Sequence, residues 1–208
     1  MSRHPRMMEQ HQFRALLRAC RVRSRNTAMR DYHLFLFLGR TGLRITEALN
    51  LSPKDLYLLH SPPFCAVRTL KRKGLPVDEV FLDAPAARSI RRYLLRVLPK
   101  ILGRPVFEQD SLWPASRGIR SVPCRPMSRR NALELFRYYA RRCAFPPGMT
   151  LHSLRHYRGS QLYEKTGDLK FTQGQLRHAQ LGSTQIYLHT TPAQIRRHLD
   201  RLGGRKDR

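Results

Sequence analysis

Four residues between Thr150 and Thr190 have the types and spacing that chemistry on a phosphate would need: His152, Arg155, His178 and Tyr187. A three-residue step puts His152 and Arg155 on one face of a helix, and Thr150 just before them is suited to cap it. Tyr187 lies nine residues beyond His178, past a Gly182-Ser183 break that can turn the chain. Arginine offers a planar fork of donors that matches phosphate. Histidine can donate a hydrogen bond or carry a proton near neutral pH, and tyrosine can act as a covalent nucleophile. Each piece alone is commonplace. An H-x-x-R step is usually a solvated helix face, and a lone tyrosine is usually a half-buried packing residue.

A second set lies upstream in Thr41-Gly42-Leu43-Arg44-Ile45-Thr46-Glu47. Arg44 and Glu47 share a face three residues apart, which by itself describes a surface ion pair. Taken together, the two sets resemble the tyrosine recombinases, the phage integrase family. That family's T-G-L-R-x-x-E pattern is met at Thr41–Glu47. Its H-x-L-R-H pattern is met at His152–His156, its L-G-H at Leu176-Arg177-His178, and its tyrosine at Tyr187. The resemblance runs from roughly residue 9 to residue 200.

The resemblance implies a site-specific DNA recombinase that cuts and rejoins strands through a 3′-phosphotyrosine intermediate, with no metal or cofactor. Tyr187 would be the nucleophile, and Arg44 and Arg155 would hold the non-bridging phosphate oxygens. Glu47 would orient Arg44, His152 would help deprotonate Tyr187, and His178 would donate a hydrogen bond to the phosphate. A hairpin lysine would protonate the leaving 5′-oxygen; Lys73 aligns best and Lys71 is the alternative. The implied partners are double-stranded DNA and three further copies of the chain, four protomers on two sites. An accessory DNA-bending protein is a candidate further partner. Two departures stand out. Arg177 occupies the place of a glycine, and Asp78 and Glu79 fall where arginine is common. The chain is similar to the small single-domain members such as the fimbrial-switch invertases, and a separate N-terminal core-binding domain is not expected. Two other readings share the features: a type IB topoisomerase, and a non-catalytic DNA-binding regulator.

Composition points the same way by a separate route. The 208 residues carry 40 Lys and Arg against 14 Asp and Glu, a net charge of +26. That imbalance calls for a polyanion partner, and a nucleic-acid backbone is the first candidate. An acidic membrane ranks second, since no basic amphipathic helix stands apart from the rest. Hydrophobic residues at 41% support a packed core. Cys20, Cys65, Cys124 and Cys143 show neither paired nor zinc-ligand spacing and read as free, mostly buried thiols. The longest apolar run, Leu34–Leu38, is too short to span a bilayer. A cytoplasmic, nucleoid-associated protein is expected.

The pattern predicts a mainly α fold with a small three-stranded antiparallel β-sheet, an α+β catalytic domain over 9–202. A basic flexible lead over 1–8 precedes it and a frayed basic tail over 203–208 follows. Helices are expected at 9–20, 27–39, 44–50, 85–98, 128–144, at the site from 150, at 169–177 and at 192–202. Strands are expected at 56–59, 65–70 and 77–82, with a hairpin over 71–76. In the helix over 85–98, Ile90, Leu94 and Leu95 should face inward and Arg88, Arg91, Arg92 and Arg96 outward. Residues 99–126, rich in Pro and Gly, read as a loop or linker, and Trp113 within it as a core plug or a base-stacking surface. The expected DNA contacts are Lys71, Arg72, Arg129, Arg130, Arg137 and Arg177.

Overall fold

The computed structural model describes residues 7–22, 26–68, 77–115 and 120–177. The hairpin link with Lys71, Arg72 and Lys73 lies outside them, as do His178, Tyr187 and the expected helix over 192–202. The chain divides into two compact units, Met1–Arg158 and Gly159–Arg208.

In the first unit the order is α1 (Gln10–Arg21), α2 (Asn26–Thr41), α3 (Ile45–Leu49), β1 (Leu56–Tyr57), β2 (Phe64–Val67), β3 (Asp78–Phe81), α4 (Ala84–Arg92), α5 (Leu98–Leu102) and α6 (Arg129–Arg142). It ends in α7 (Leu151–Thr166), whose second half belongs to the other unit, followed there by α8 (Leu169–Leu176). No helix among the described residues is long and apolar enough to cross a membrane.

α2 is the centre of the first unit. Leu34 to Leu38 are all buried, as a helix apolar on every side must be. Phe35 meets Phe136 and Tyr139 of α6 edge-on at 6.0 and 5.9 Å, and Phe37 meets Trp113 at 5.8 Å. α1 lies so close that a methyl group added at Gly39 would collide with the Phe13 ring.

The sheet is antiparallel in the order β1-β2-β3. Its strands are shorter than the sequence suggests, because Leu58 and Leu59 already turn the chain. Cys65, Val67 and Val80 face the core. Tyr57, Phe64 and Phe81 form a cross-strand aromatic row, with Tyr57 and Phe64 stacked at 4.5 Å. Cys20, Cys65 and Cys124 are buried free thiols and Cys143 is half-buried.

Two expectations are corrected. The helix from α4 runs on to Leu102, because a five-residue π-turn, Tyr93–Val97, joins α4 to α5. The Leu98 N–H reaches back to the Tyr93 carbonyl, which fits Pro99, without an N–H of its own, into the first turn of α5. Leu95, five residues past Ile90 and so about 140° round the helix from it, is exposed rather than inward, while Leu94 is half-buried against the core.

The second correction concerns residues 103–115 and 120–126, whose irregular backbone is no loose linker. Asp110 is fully buried and accepts both ends of the Arg104 fork at 2.7 Å, the Phe107 N–H at 2.8 Å and the Cys124 N–H at 2.8 Å. The Arg104 hydrogen bonds, against the cost of burial, hold its carboxyl far below the usual range. Trp113 is fully buried beside Tyr93, ring centres 5.1 Å apart, so it is a core residue and not a stacking surface.

Candidate active site

The upstream set owes its shape to the end of α2. Gly42 takes φ +69°, the left-handed conformation that closes a helix most cheaply at glycine. Its N–H bonds the Leu38 carbonyl at 2.9 Å. The Thr41 hydroxyl donates to Phe37 O and accepts from the Leu43 N–H, finishing the turn. Arg44 then stands just before α3. Glu47, buried on that helix, accepts from the Arg44 backbone N–H at 2.8 Å and from its Nη1 at 3.0 Å. The carboxylate thus fixes the direction of a guanidinium whose side chain is 39% exposed and open to a ligand from solvent.

α7 carries the downstream set. The Thr150 hydroxyl accepts the His152 N–H at 3.2 Å, and Ser153 Oγ accepts the Thr150 N–H at 3.1 Å, a reciprocal cap that starts the helix. Arg155 is 2% exposed and donates from Nη1 to Gly42 O at 2.6 Å. One hydrogen bond therefore joins the two sets across 113 residues of sequence.

His152 feels both arginines. It is exposed, yet removal of water around it, then the charge of Arg155 and then that of Arg44, lower its pKa from the ordinary histidine value. The imidazole is neutral near pH 7 and can take a proton. His156, packed edge-on against His152 at 4.6 Å, is buried and pushed down to about 4 by desolvation, His152 and Arg155. Arg44, Glu47, His152 and Arg155 thus form one cluster. Among the described residues no group of His, Cys, Asp or Glu is placed to hold a metal ion.

Asp83, which sequence reasoning passed over, supports this cluster from behind. Its Oδ1 caps α4 by accepting the Ala86 N–H at 3.0 Å. Its Oδ2 accepts from Arg40 of α2 and from Arg158 of α7, both at 3.3 Å. Arg40 lies four residues before Arg44 and Arg158 one turn after Arg155, so one carboxylate ties both site-bearing segments to α4. The only sequence signal was an Asp two residues before a Pro, a common helix start.

Of the expected DNA contacts, Arg129, Arg130 and Arg137 lie exposed on α6, which packs against α3. Ser128 caps α6 as expected, accepting the Asn131 N–H at 3.1 Å. Arg130 is already paired with Glu134 at 3.0 Å. In the second unit Arg177 closes α8 at φ +52°. That is the left-handed position where glycine fits without strain, which is the physical reason a glycine suits this place.

The fold is that of tyrosine recombinase catalytic domains. The crystal structure of XerA recombinase superposes with a TM-score of 0.73 at 21% identity, covering 100% of this chain and 66% of that one. The XerH site-specific recombinase bound to its palindromic difH substrate, in a post-cleavage complex, gives 0.73 at 21% identity, covering 94% and 53%. The model of the phage integrase family matches residues 6–194, and the chain belongs to that family. Tyrosine recombinase XerC of Alcanivorax borkumensis is 31% identical over 189 residues, which is 90% of this chain and 56% of that protein. Tyrosine recombinase XerD of Halalkalibacterium halodurans is 27% identical over 169 residues, or 81% and 52%. The chain spans about half the length of the curated relatives it matches.

Proposed function

We propose that the protein is a site-specific DNA recombinase acting by metal-independent transesterification. The observation that supports this most is the Arg155 to Gly42 hydrogen bond, which brings the two arginine-bearing sets into one cluster beside a neutral histidine. Two arginines supply the positive charge that phosphoryl transfer needs as charge builds on the non-bridging oxygens. Tyr187 Oη attacks the backbone phosphorus as His152 takes its proton. The P–O5′ bond breaks, its electrons pass to the 5′-oxygen, and Lys73 or Lys71 protonates that oxygen. His178 donates to the phosphate. The reverse attack by another strand's 5′-hydroxyl reseals the backbone, and the bond energy stays in the phosphotyrosine throughout.

Double-stranded DNA is the substrate on this reading. Lys71, Arg72, Arg129, Arg130, Arg137 and Arg177 add phosphate contacts, and the working assembly is four protomers on two sites. The test is a suicide duplex drawn from DNA flanking the gene, nicked so that the released end diffuses away. Wild type without metal should give a covalent protein–DNA adduct on a denaturing gel, and Tyr187→Phe should give none. An adduct that persists in Tyr187→Phe would remove Tyr187 from its role. No adduct from either protein, with tight binding retained, would leave a non-catalytic DNA-binding regulator.

A further inference from the structure

One face of the α4–α5 segment is strongly basic. Arg88, Arg92, Arg96 and Lys100 follow one another at four-residue steps, with Arg91 beside them, and together they line an open groove of about 690 Å³. Leu95 sits among them with 68% of its surface exposed. No Asp or Glu occurs between Ala84 and Phe107. Like charges at four-residue steps disfavour a helix, and among the described residues no ion pair offsets them here. A single exposed leucine is ordinary. A leucine enclosed by four arginines and lying within a π-turn is less so, since such turns recur at functional sites.

The face also lies along α4 from the end nearest the chemistry. Asp83 at the start of α4 meets Arg40 late in α2, while Ser89 further along meets His33 at 2.7 Å, earlier in α2. α4 therefore runs antiparallel to α2, and the groove extends from the Asp83 end away from Gly42 and Arg44. An apolar centre with a cationic rim is the usual anatomy of a protein interface, whereas a phosphate backbone offers nothing to an exposed leucine.

We infer that this groove docks an acidic, amphipathic segment of a partner protein, an apolar side chain seating on Leu95 and carboxylates pairing with Arg88, Arg92, Arg96 and Lys100. The surface is separate from the DNA site proposed above. That reading bears on the inference only in excluding the duplex from the groove.

The test uses a fluorescein-labelled helical peptide with glutamates at four-residue steps and one central leucine, alongside a duplex of about 20 base pairs. Two variants of the full chain are compared with wild type, Leu95→Ser and the triple change Arg88→Gln, Arg92→Gln, Arg96→Gln, each checked for unchanged thermal unfolding. The expected result is that both variants bind the peptide at least tenfold more weakly while duplex affinity stays within about twofold. Peptide binding that ignores Leu95→Ser overturns the proposal. So does a triple variant that loses the duplex and its salt dependence, which would make the groove a nucleic-acid face. Failure of wild type to bind the duplex at all would count against the recombinase reading and leave the peptide result to stand alone.

Discussion

At the scale of single residues, Arg177 shows how a conformation can outweigh a side chain's chemistry. Its φ of +52° costs a non-glycine residue about 1–2 kcal/mol. Arg177→Gly should therefore raise stability by about 1 kcal/mol, read as a higher urea midpoint at unchanged slope. If the arginine also holds phosphate, duplex affinity should fall in the same variant. His152 offers a second test. Arg155 and Arg44 help to lower its pKa, so removing the Arg44 charge by Arg44→Gln should move the His152 ring titration upward, followed by NMR of its ring protons. An unmoved titration would mean that Arg44 does not act on the imidazole.

At the scale of elements, what holds the site is the tie between α2, α4 and α7 at Asp83. Asp83→Asn keeps a good helix cap but leaves Arg40 and Arg158 without the carboxylate they share. A shift of α7 by a fraction of an ångström would carry His152 and Arg155 with it, and misplacements of that order cost about ten- to a hundredfold in rate. The expected result is slower adduct formation with duplex affinity held, and partial recovery in Asp83→Glu. An unchanged rate would make Asp83 a cap and nothing more. This tie was not legible in the sequence, because its three residues lie far apart and each is an ordinary surface type. The Arg44–Glu47 and His152–Arg155 pairings were legible, because each is packed into a three-residue spacing. Leu95 was misread because its apolar type was weighed above its phase, which five residues past Ile90 already puts it about 140° round the helix from that side chain. Residues 103–115 and 120–126 are irregular as read, but Pro and Gly mark irregular backbone without saying whether it is loose. Asp110 decides that, and an isolated aspartate looks like any other turn residue.

At the scale of the whole molecule, two buried histidines set a limit on acid tolerance. His33, pushed down to about 4 by burial and by Arg92, and His156, pushed to the same value, stay neutral in the fold. Unfolded, both would protonate near their ordinary value of 6.5. The unfolded chain thus binds more protons between pH 6.5 and 4, and stability falls as the pH is lowered through that window, by up to about 3 kcal/mol for each histidine. Urea midpoints measured from pH 7 to pH 4 should show this decline, and a flat profile would contradict the burial of both rings. Packing sets a second limit. Gly39→Ala forces a methyl group against Phe13 and should cost about 1–3 kcal/mol, as overpacked cores do.

The Asp110 lock bears on how this chain could be taken apart. A designer seeking a split enzyme, two fragments that regain activity on meeting, would cut where Pro and Gly cluster, between Gly103 and Asp110 or just beyond. Such a cut places Arg104 on one fragment and its carboxylate on the other, or parts the carboxylate from Cys124. Either way the fully buried Asp110 carboxylate loses partners that offset its burial, which disfavours the fragment that carries it folding alone. Reassembly from these pieces should be slow and concentration-hungry, and the stretch that looks most severable is the one to leave whole.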